Sequence, residues 1–305
     1  MTHRDPVLVG VDGSSAGSTA TQFAAYEAQR LGTGLRLVHV VPDYVPMTPM
    51  LPLATSDLEA SGRRILREAT AQAHRLMDHE RVTVSLQYGP RVLTLLEMAE
   101  HARLLVLGSK QRAGIERLLT GSVLLGIASR ATSPVVAVPP GWTPKVEHRR
   151  IVVGVKSTEH SPELVRRALE IAEERKAEVV LVHAWELPGQ YDDLVTARAE
   201  EDEWNDRARH TLERSLGDVR NTHPDVPLEI RVVHGQPARV LQTASGEAEL
   251  LLLARRHSGF PMGHLGGTGR ALLHQAHCAV EVVPPADEPV DTSDLVLEQP
   301  GSLQK

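Results

Sequence analysis

The sequence has a single cysteine, no long apolar run and no excess of positive charge, and each shortage excludes a class of protein. Cys278 is the one cysteine among 305 residues, so an internal disulfide and a cysteine-rich zinc site are both excluded. No apolar run reaches the roughly 18 residues of a membrane-spanning helix, and no N-terminal stretch resembles a signal peptide. We therefore expect a cytoplasmic protein that does not enter a membrane.

The charge balance gives no sign of a nucleic-acid binder, because the formal net charge is −6. Residues 1–145 carry 15 basic and 12 acidic side chains, a bias that weakly favours an anionic ligand in this part or is ordinary scatter. Hydrophobic residues make up 41% and charged residues 24%, as in soluble globular proteins. The length indicates about two domains.

Several catalytic signatures are also missing. The sequence has no Walker A phosphate-binding loop, no dinucleotide fingerprint after its first strand and no nucleophile elbow. A phosphorylated receiver domain needs an acidic pair after that strand, whereas Asp12 is followed by Gly13. His274, His277 and Cys278 cluster late in the chain, but we expect no metal site there, because zinc needs three or four converging ligands. We therefore expect a protein that is not an enzyme.

The chain does repeat itself. Six short segments of its first half recur in the same order in the second half, at a nearly constant offset of 144 to 146 residues. VGVD from Val9 recurs as VGVK from Val153, and LVHV from Leu37 recurs as LVHA from Leu181. The repeats predict one domain over residues 1–145, a second over 146–285 and a flexible acidic tail over 286–305.

Each repeat alternates short apolar runs with helical patterns. The runs of the first repeat are Val7–Val11, Leu35–Val41, Val82–Leu86, Leu104–Leu107 and Val135–Val138. Near-continuous apolar runs of this length are typical of parallel strands buried on both faces. Between them, apolar residues recur at helical spacing, as in Ala20, Phe23, Ala24 and Leu31, or in Ile65, Ala69, Ala73 and Leu76. The pattern predicts two tandem α/β domains, each a doubly wound, five-stranded parallel sheet of Rossmann-like type.

In such sheets, ligands bind at the carboxyl ends of the strands. Asp12 follows the first strand, where its carboxylate would accept hydrogen bonds from adenine or ribose, or would cap a helix starting near Ser15. Gly108 ends the fourth strand, where a tight turn would expose backbone N–H groups. Gly121 and Ser122 are predicted to open the last helix, either as a phosphate site or as a plain N-cap.

Taken together, the segments VGVDGS, LVHV, VLGS, GS and PVVAVP resemble the universal stress protein family in its tandem two-domain form. The family's nucleotide motif G-x2-G-x9-G-[ST] corresponds here to Gly108, Gln111 and Gly121-Ser122, with Val123 next in the chain. The resemblance places the adenine-side carboxylate on Asp12 and a backbone contact to adenine on Val40. It implies ATP as the ligand of the first repeat, with Mg²⁺ as a candidate accompanying ion.

Gln111 departs from the family, which has glycine at this position. A glutamine costs about 1 kcal/mol or more if its φ angle must be positive. The second repeat departs further, because Lys156 replaces the aspartate, Ala254 the first glycine and His257 the second. We therefore expect it to bind no ATP and to act as a structural partner and regulatory surface.

The resemblance implies a stress-response protein that binds ATP or another adenine nucleotide and changes conformation or protein partners. It also implies that Val135–Val138 and Val280–Val283 pair within the chain as a pseudo-dimer, with a further homodimer open. Two alternatives stay open: a scaffold without nucleotide, in which Gln111 closes the pocket, and a slow ATPase. Pro42–Thr55, after the adenine-side strand, is a lid, a partner-binding loop or a cover of the core edge.

Overall fold

The computed structural model describes residues 5–42, 55–109, 117–144, 149–156, 161–186, 201–255 and 265–285. The chain divides into two compact units. Gln111, most of the segment Pro42–Thr55 and the tail 286–305 lie outside the described residues.

The first repeat follows the predicted alternation of strands and helices. Its elements are β1 Val7–Gly10, α1 Ser15–Arg30, β2 Leu35–Val41, α2 Thr55–Ala73, β3 Val82–Tyr88, α3 Arg91–Ala99, β4 Leu104–Gly108, α4 Arg117–Ala128 and β5 Val135–Val138. A 3-10 turn at His79–Arg81 leads into β3.

The second repeat has the same order of strands. Its described elements are β6 Arg150–Val155, α5 Ser161–Arg175, β7 Glu178–Trp185, α6 Glu201–Thr222, β8 Leu228–His234, α7 Pro237–Ser245, β9 Leu250–Ala254, α8 Gly267–Gln275 and β10 Ala279–Val283. No described helix of either repeat is both long and apolar enough to cross a bilayer.

The strand order of the first repeat is β3-β2-β1-β4-β5, and that of the second is β8-β7-β6-β9-β10. In the first repeat β1 pairs in parallel with β2 and with β4, and β2 pairs in parallel with β3. Helix α1 packs against α2, and α3 packs against α4. Right-handed crossovers place these two helix pairs on opposite faces of the sheet. The predicted fold class is confirmed.

The strand interiors are apolar because helices cover both faces. Val7, Val9, Leu105 and Val106 of the central strands are at most 1% exposed. The last residue of β1 is Gly10, and a side chain of the neighbouring strand lies close to it. A Cβ atom on Gly10 would lie 2.7 Å from Leu107 Cδ2. Gly154 occupies the same place in the second repeat, where a Cβ would lie 2.8 Å from Leu241 and Leu253.

Two helix predictions were wrong at their ends. Helix α4 begins at Arg117, so Gly121 and Ser122 lie inside it and do not open it. Its first residues, Arg-Leu-Leu-Thr, include good helix formers, and an interior glycine costs only about 1 kcal/mol. Helix α2 ends at Ala73, so Leu76 lies beyond it and is exposed.

Candidate functional site

The candidate site lies at the carboxyl ends of β1, β2 and β4, where the chain connections diverge to opposite faces of the sheet. Gly10 pairs with Val38 of β2, and Val9 pairs with Val106 of β4. Continuing these registers by two residues brings Asp12 level with Val40, and Val11 level with Gly108. Ligands of doubly wound sheets bind at this topological switch point.

Asp12 is exposed and anchors the tight turn between β1 and α1. Its Oδ1 accepts hydrogen bonds from Ser14 N–H, at 3.0 Å, and from the Ser14 hydroxyl. Ser14 is the N-cap of α1 and accepts from Gly17 N–H at 3.2 Å. Gly13 has a φ of +76°, which favours glycine. The Asp12 carboxylate therefore stabilises the start of α1 through its hydrogen bonds to Ser14, and Ser14, not Asp12, is the N-cap residue.

Val40 offers its backbone rather than its side chain, which is buried. Val11 N–H donates to Val38 O at 2.8 Å on one edge of β2, and Gly89 N–H donates to Val41 O at 3.1 Å on the other. Because backbone direction alternates along a strand, the N–H and C=O of Val40 face the β1 side. They lie above the end of β1, next to Asp12.

His39 fixes this corner of the sheet. Its Nδ1 lies 2.7 Å from Val11 O, so it carries the proton and donates to that carbonyl. Helix α2 passes so close that a Cβ on Gly62 would lie 2.8 Å from His39 Cδ2 and 2.8 Å from Leu86 Cδ1. The ring is thus held between the end of β1 and α2.

The part of the candidate site that follows β4 is only partly described. Gly108 is the last residue of β4, and the next residue, Ser109, is buried and donates its N–H to Val138 O at 2.8 Å. Gln111 lies outside the described residues. The main-chain N–H groups left unpaired by α-helix geometry include those of Arg117–Leu119 in the first turn, and not those of Gly121, Ser122 or Val123.

The second repeat has the same scaffold with different side chains. His183 Nδ1 lies 3.1 Å from Val155 O, as His39 does in the first repeat. Lys156, in the place of Asp12, is exposed, and Ala254 ends β9. Gly267 is the first residue of α8, with Gly266 as its N-cap, so here the counterpart of Gly121 does open the helix.

An aromatic cluster distinguishes the strand ends of the second repeat. Trp185, the last residue of β7, stacks on Trp204 of α6 at 5.5 Å and contacts His234 at 4.6 Å between ring centroids. Its Nε1 donates to Asn205 Oδ1 at 2.8 Å. Val41 takes the place of Trp185 in the first repeat, so the carboxyl ends of β2 and β7 differ in bulk.

Sequence reasoning missed the residues that shape the site without being expected to touch a ligand. Ser14 and Gly17 form the turn under Asp12, and a Cβ on Gly17 would lie 2.8 Å from Asp12 Oδ1. Gly62 lies on α2, far away in sequence. The Gly-Ser pair after Asp12 is a recognisable turn and cap signal, but nothing local marks Gly62 as a contact of His39.

In the part of the chain that the structure describes, no group of three or more His, Cys, Asp or Glu side chains is arranged to hold a metal ion. Cys278 is buried and takes part in no disulfide. His257 and His264 lie outside the described residues.

Comparison with known proteins identifies the family. A model of the universal stress protein family matches residues 3–139 and again 147–284. A universal stress protein of Mycobacterium tuberculosis is 31% identical over 291 residues, covering 90% of this chain and 96% of that protein.

Solved structures agree on the fold. A universal stress protein from Archaeoglobus fulgidus superposes with a TM-score of 0.69 at 14% identity, covering 94% of this chain and 99% of that one. A solved universal stress protein that is bound to cAMP matches 46% of this chain at 25% identity, with a TM-score of 0.38. The two family matches, one on each repeat, together span most of the sequence, and the chain belongs to the universal stress protein family.

Proposed function

We propose that the first repeat binds one adenine nucleotide, ATP in the first instance, at the carboxyl ends of β1, β2 and β4. The observation that carries the proposal is the register of three groups at the switch point. The exposed Asp12 carboxylate, the Val40 backbone and the end of β4 at Gly108 lie within one residue of the same level of the sheet.

Each group matches one part of the nucleotide. The N–H and C=O of Val40 suit the donor and acceptor edge of adenine, and the Asp12 carboxylate accepts from ribose hydroxyls or the adenine amino group. The backbone after Gly108 and the first turn of α4 would hold the phosphates, because unpaired N–H groups at a helix start favour anions. Mg²⁺ would accompany the phosphates.

The second repeat does not bind a nucleotide in this proposal. Lys156 presents a cation with donors only, where the first repeat presents an acceptor, so it cannot accept from ribose or adenine. The second repeat serves instead as a structural partner and regulatory surface.

The protein acts by switching partners in the cytoplasm during stress, not by turnover. The sequence has no Walker A loop, dinucleotide fingerprint or nucleophile elbow, and the lack of these catalytic signatures favours binding over catalysis.

The direct test compares matched substitutions in the two repeats. Asp12→Ala should weaken ATP binding roughly 10- to 100-fold, because a hydrogen bond to a charged group is lost. Lys156→Ala, at the equivalent place of the second repeat, should leave the affinity unchanged. Isothermal titration calorimetry measures both, and equal affinity in wild type and Asp12→Ala would reject the site.

A second candidate function is a scaffold without nucleotide, favoured by the hydrogen bonds that Asp12 already makes to Ser14. In that case Asp12 is only a support of the helix start. Asp12→Asn separates the two functions, because the amide oxygen can still accept from Ser14 while the charge is lost. A scaffold predicts unchanged melting and no ATP binding by any variant, whereas the nucleotide site predicts unchanged melting with reduced ATP affinity.

A further inference from the structure

The outer strand of the first repeat has an open edge. Among the described strands β3 is paired on one side only, with β2, in a continuous parallel register from Val82 to Tyr88. Two of its apolar side chains are half in solvent: Val84 is 53% exposed and Tyr88 is 52% exposed. A strand edge with exposed apolar residues is a template for pairing with another chain.

The backbone direction shows which groups the edge offers. Gly89 N–H donates to Val41 O, so the odd-numbered residues around it direct their N–H and C=O groups to β2. The even-numbered residues Val84 and Leu86 therefore direct theirs outward. This leaves a regular row of donors and acceptors along the free side of the strand.

The equivalent strand of the second repeat is protected by charge, and β3 is not. Arg231 of β8 makes two hydrogen bonds to Glu229, at 2.7 and 2.9 Å. These bonds lower the pKa of the Glu229 carboxyl below its ordinary value, so the pair is charged at neutral pH. Charged side chains are a common means of preventing edge pairing. The β3 sequence VTVSLQY contains no charged residue.

The alternation of apolar and polar residues in β3 is the same when the strand is followed in either direction. Ser85 is its middle residue, and on each side apolar and uncharged polar residues alternate in mirror order. A strand of this kind can pair with itself in antiparallel orientation without placing an apolar residue against a polar one.

We propose that β3 is a homodimer interface, in which β3 of one copy pairs antiparallel with β3 of a second copy around Ser85. Val84 then lies opposite Leu86 of the partner and Val82 lies opposite Tyr88, while Thr83 lies opposite Gln87 on the other face. Cross-strand pairs of aromatic and β-branched residues stabilise sheets. Because Ser85 directs its backbone groups to β2, the two Ser85 residues form a non-hydrogen-bonded pair, the type with the shorter Cα separation.

The first test is the oligomeric state of the full chain by sedimentation velocity over a range of concentrations. Wild type should form a dimer. Val84→Lys should weaken dimerisation by roughly tenfold or more, because it places a charge against apolar side chains of the partner. Ile230→Lys, at the equivalent place on β8, is the matched control and should still form the dimer. Circular dichroism melting of both variants shows whether they remain folded.

A second test reports the register and does not depend on Val84. Ser85→Cys should form a disulfide-linked dimer under mild oxidation, because a non-hydrogen-bonded pair lies at about 4.5 Å between Cα atoms, within disulfide range. Thr83→Cys should not, because two Thr83 residues would lie four positions apart, about 13 Å along the strand. The native thiol, Cys278, is buried and gives a low background.

Several results would overturn the proposal. They are a wild type that stays monomeric at all concentrations, a dimer that persists in Val84→Lys, and equal cross-linking of Ser85→Cys and Thr83→Cys. A monomer whose Ser85→Cys thiol resists alkylation would show that another segment of the same chain covers the edge, which also rejects the homodimer.

Discussion

At one pair of equivalent positions the two repeats carry side chains of different chemistry. Arg167 of α5 donates to Glu281 of β10 at 3.1 Å, and the Glu281 side chain is only 3% exposed. At the repeat offset, the first repeat has Phe23 and Val136 in these places, both at most 1% exposed. An ion pair in one repeat therefore takes the place of apolar residues in the other.

This exchange gives a prediction for stability. Arg167→Ala should destabilise the second repeat by about 3–5 kcal/mol, because it leaves the buried Glu281 without its counter-charge. The double variant Arg167→Phe with Glu281→Val, which copies the first repeat, should lie within about 2 kcal/mol of wild type. Urea denaturation followed by circular dichroism measures both free energies of unfolding.

The free energies of unfolding of these variants should be compared at pH 7. Glu281 raises the pKa of the Arg167 guanidinium above its ordinary value. A raised pKa means that this contribution is complete at lower pH and is lost only as the pH rises through the raised value. If the single and double variants were equally unstable, the ion pair would not replace the apolar pair.

The sequence alone indicated three residues that the structure places at the candidate site. Asp12, Val40 and Gly108 could be found because each lies at the carboxyl end of an apolar run, and strand ends at one edge of a parallel sheet converge. Gly121 and Ser122 were misplaced because a glycine–serine pair is typical of a helix start but is also tolerated inside a helix whose flanking residues favour it. Whether Gln111 closes the pocket depends on a backbone angle that the sequence does not state.

At the scale of elements, strands were easier to predict than helix ends. Leu35–Val41 and Val135–Val138 have the predicted bounds, because burial on both faces makes these strands predominantly apolar. Leu76 fits the apolar spacing of α2 but lies beyond its end, because periodicity carries no information about where a helix stops.

Two helix glycines provide a prediction at this scale. Gly62→Ala in α2 should destabilise the protein by roughly 1–3 kcal/mol, since its Cβ would meet the His39 ring, which a hydrogen bond to Val11 holds in place. Gly217→Ala in α6 should stabilise it by roughly 0.5–1 kcal/mol, because that glycine has open space around it.

Thermal or urea unfolding of the two variants checks this pair. Stabilisation by Gly62→Ala as large as that by Gly217→Ala would mean that α2 can move away from β2. The close packing of His39 against α2 would then not hold the corner of the candidate site.

At the scale of the whole molecule, the chain contains two copies of one fold, and the two copies carry different side chains at equivalent positions. The family matches on residues 3–139 and 147–284 show the duplication. The self-similarity of the sequence predicted it, because the same buried strands need the same apolar segments. The pairing of Val135–Val138 with Val280–Val283 within the chain stays a prediction.

The differences between the repeats are concentrated at the strand ends. Asp12 is exchanged for Lys156, Val41 for Trp185 and Gly108 for Ala254, while the buried strand interiors remain apolar in both repeats apart from Glu281 of β10. Changes at the carboxyl edge leave the core undisturbed, so under the proposed function the second repeat can keep the fold without binding a nucleotide.

The stoichiometry of nucleotide binding tests this account most directly. Calorimetric titration of the full chain with ATP should give one site per chain, weakened in Asp12→Ala and unchanged in Lys156→Ala. Two sites of similar affinity per chain, or an unchanged site in Asp12→Ala, would contradict it.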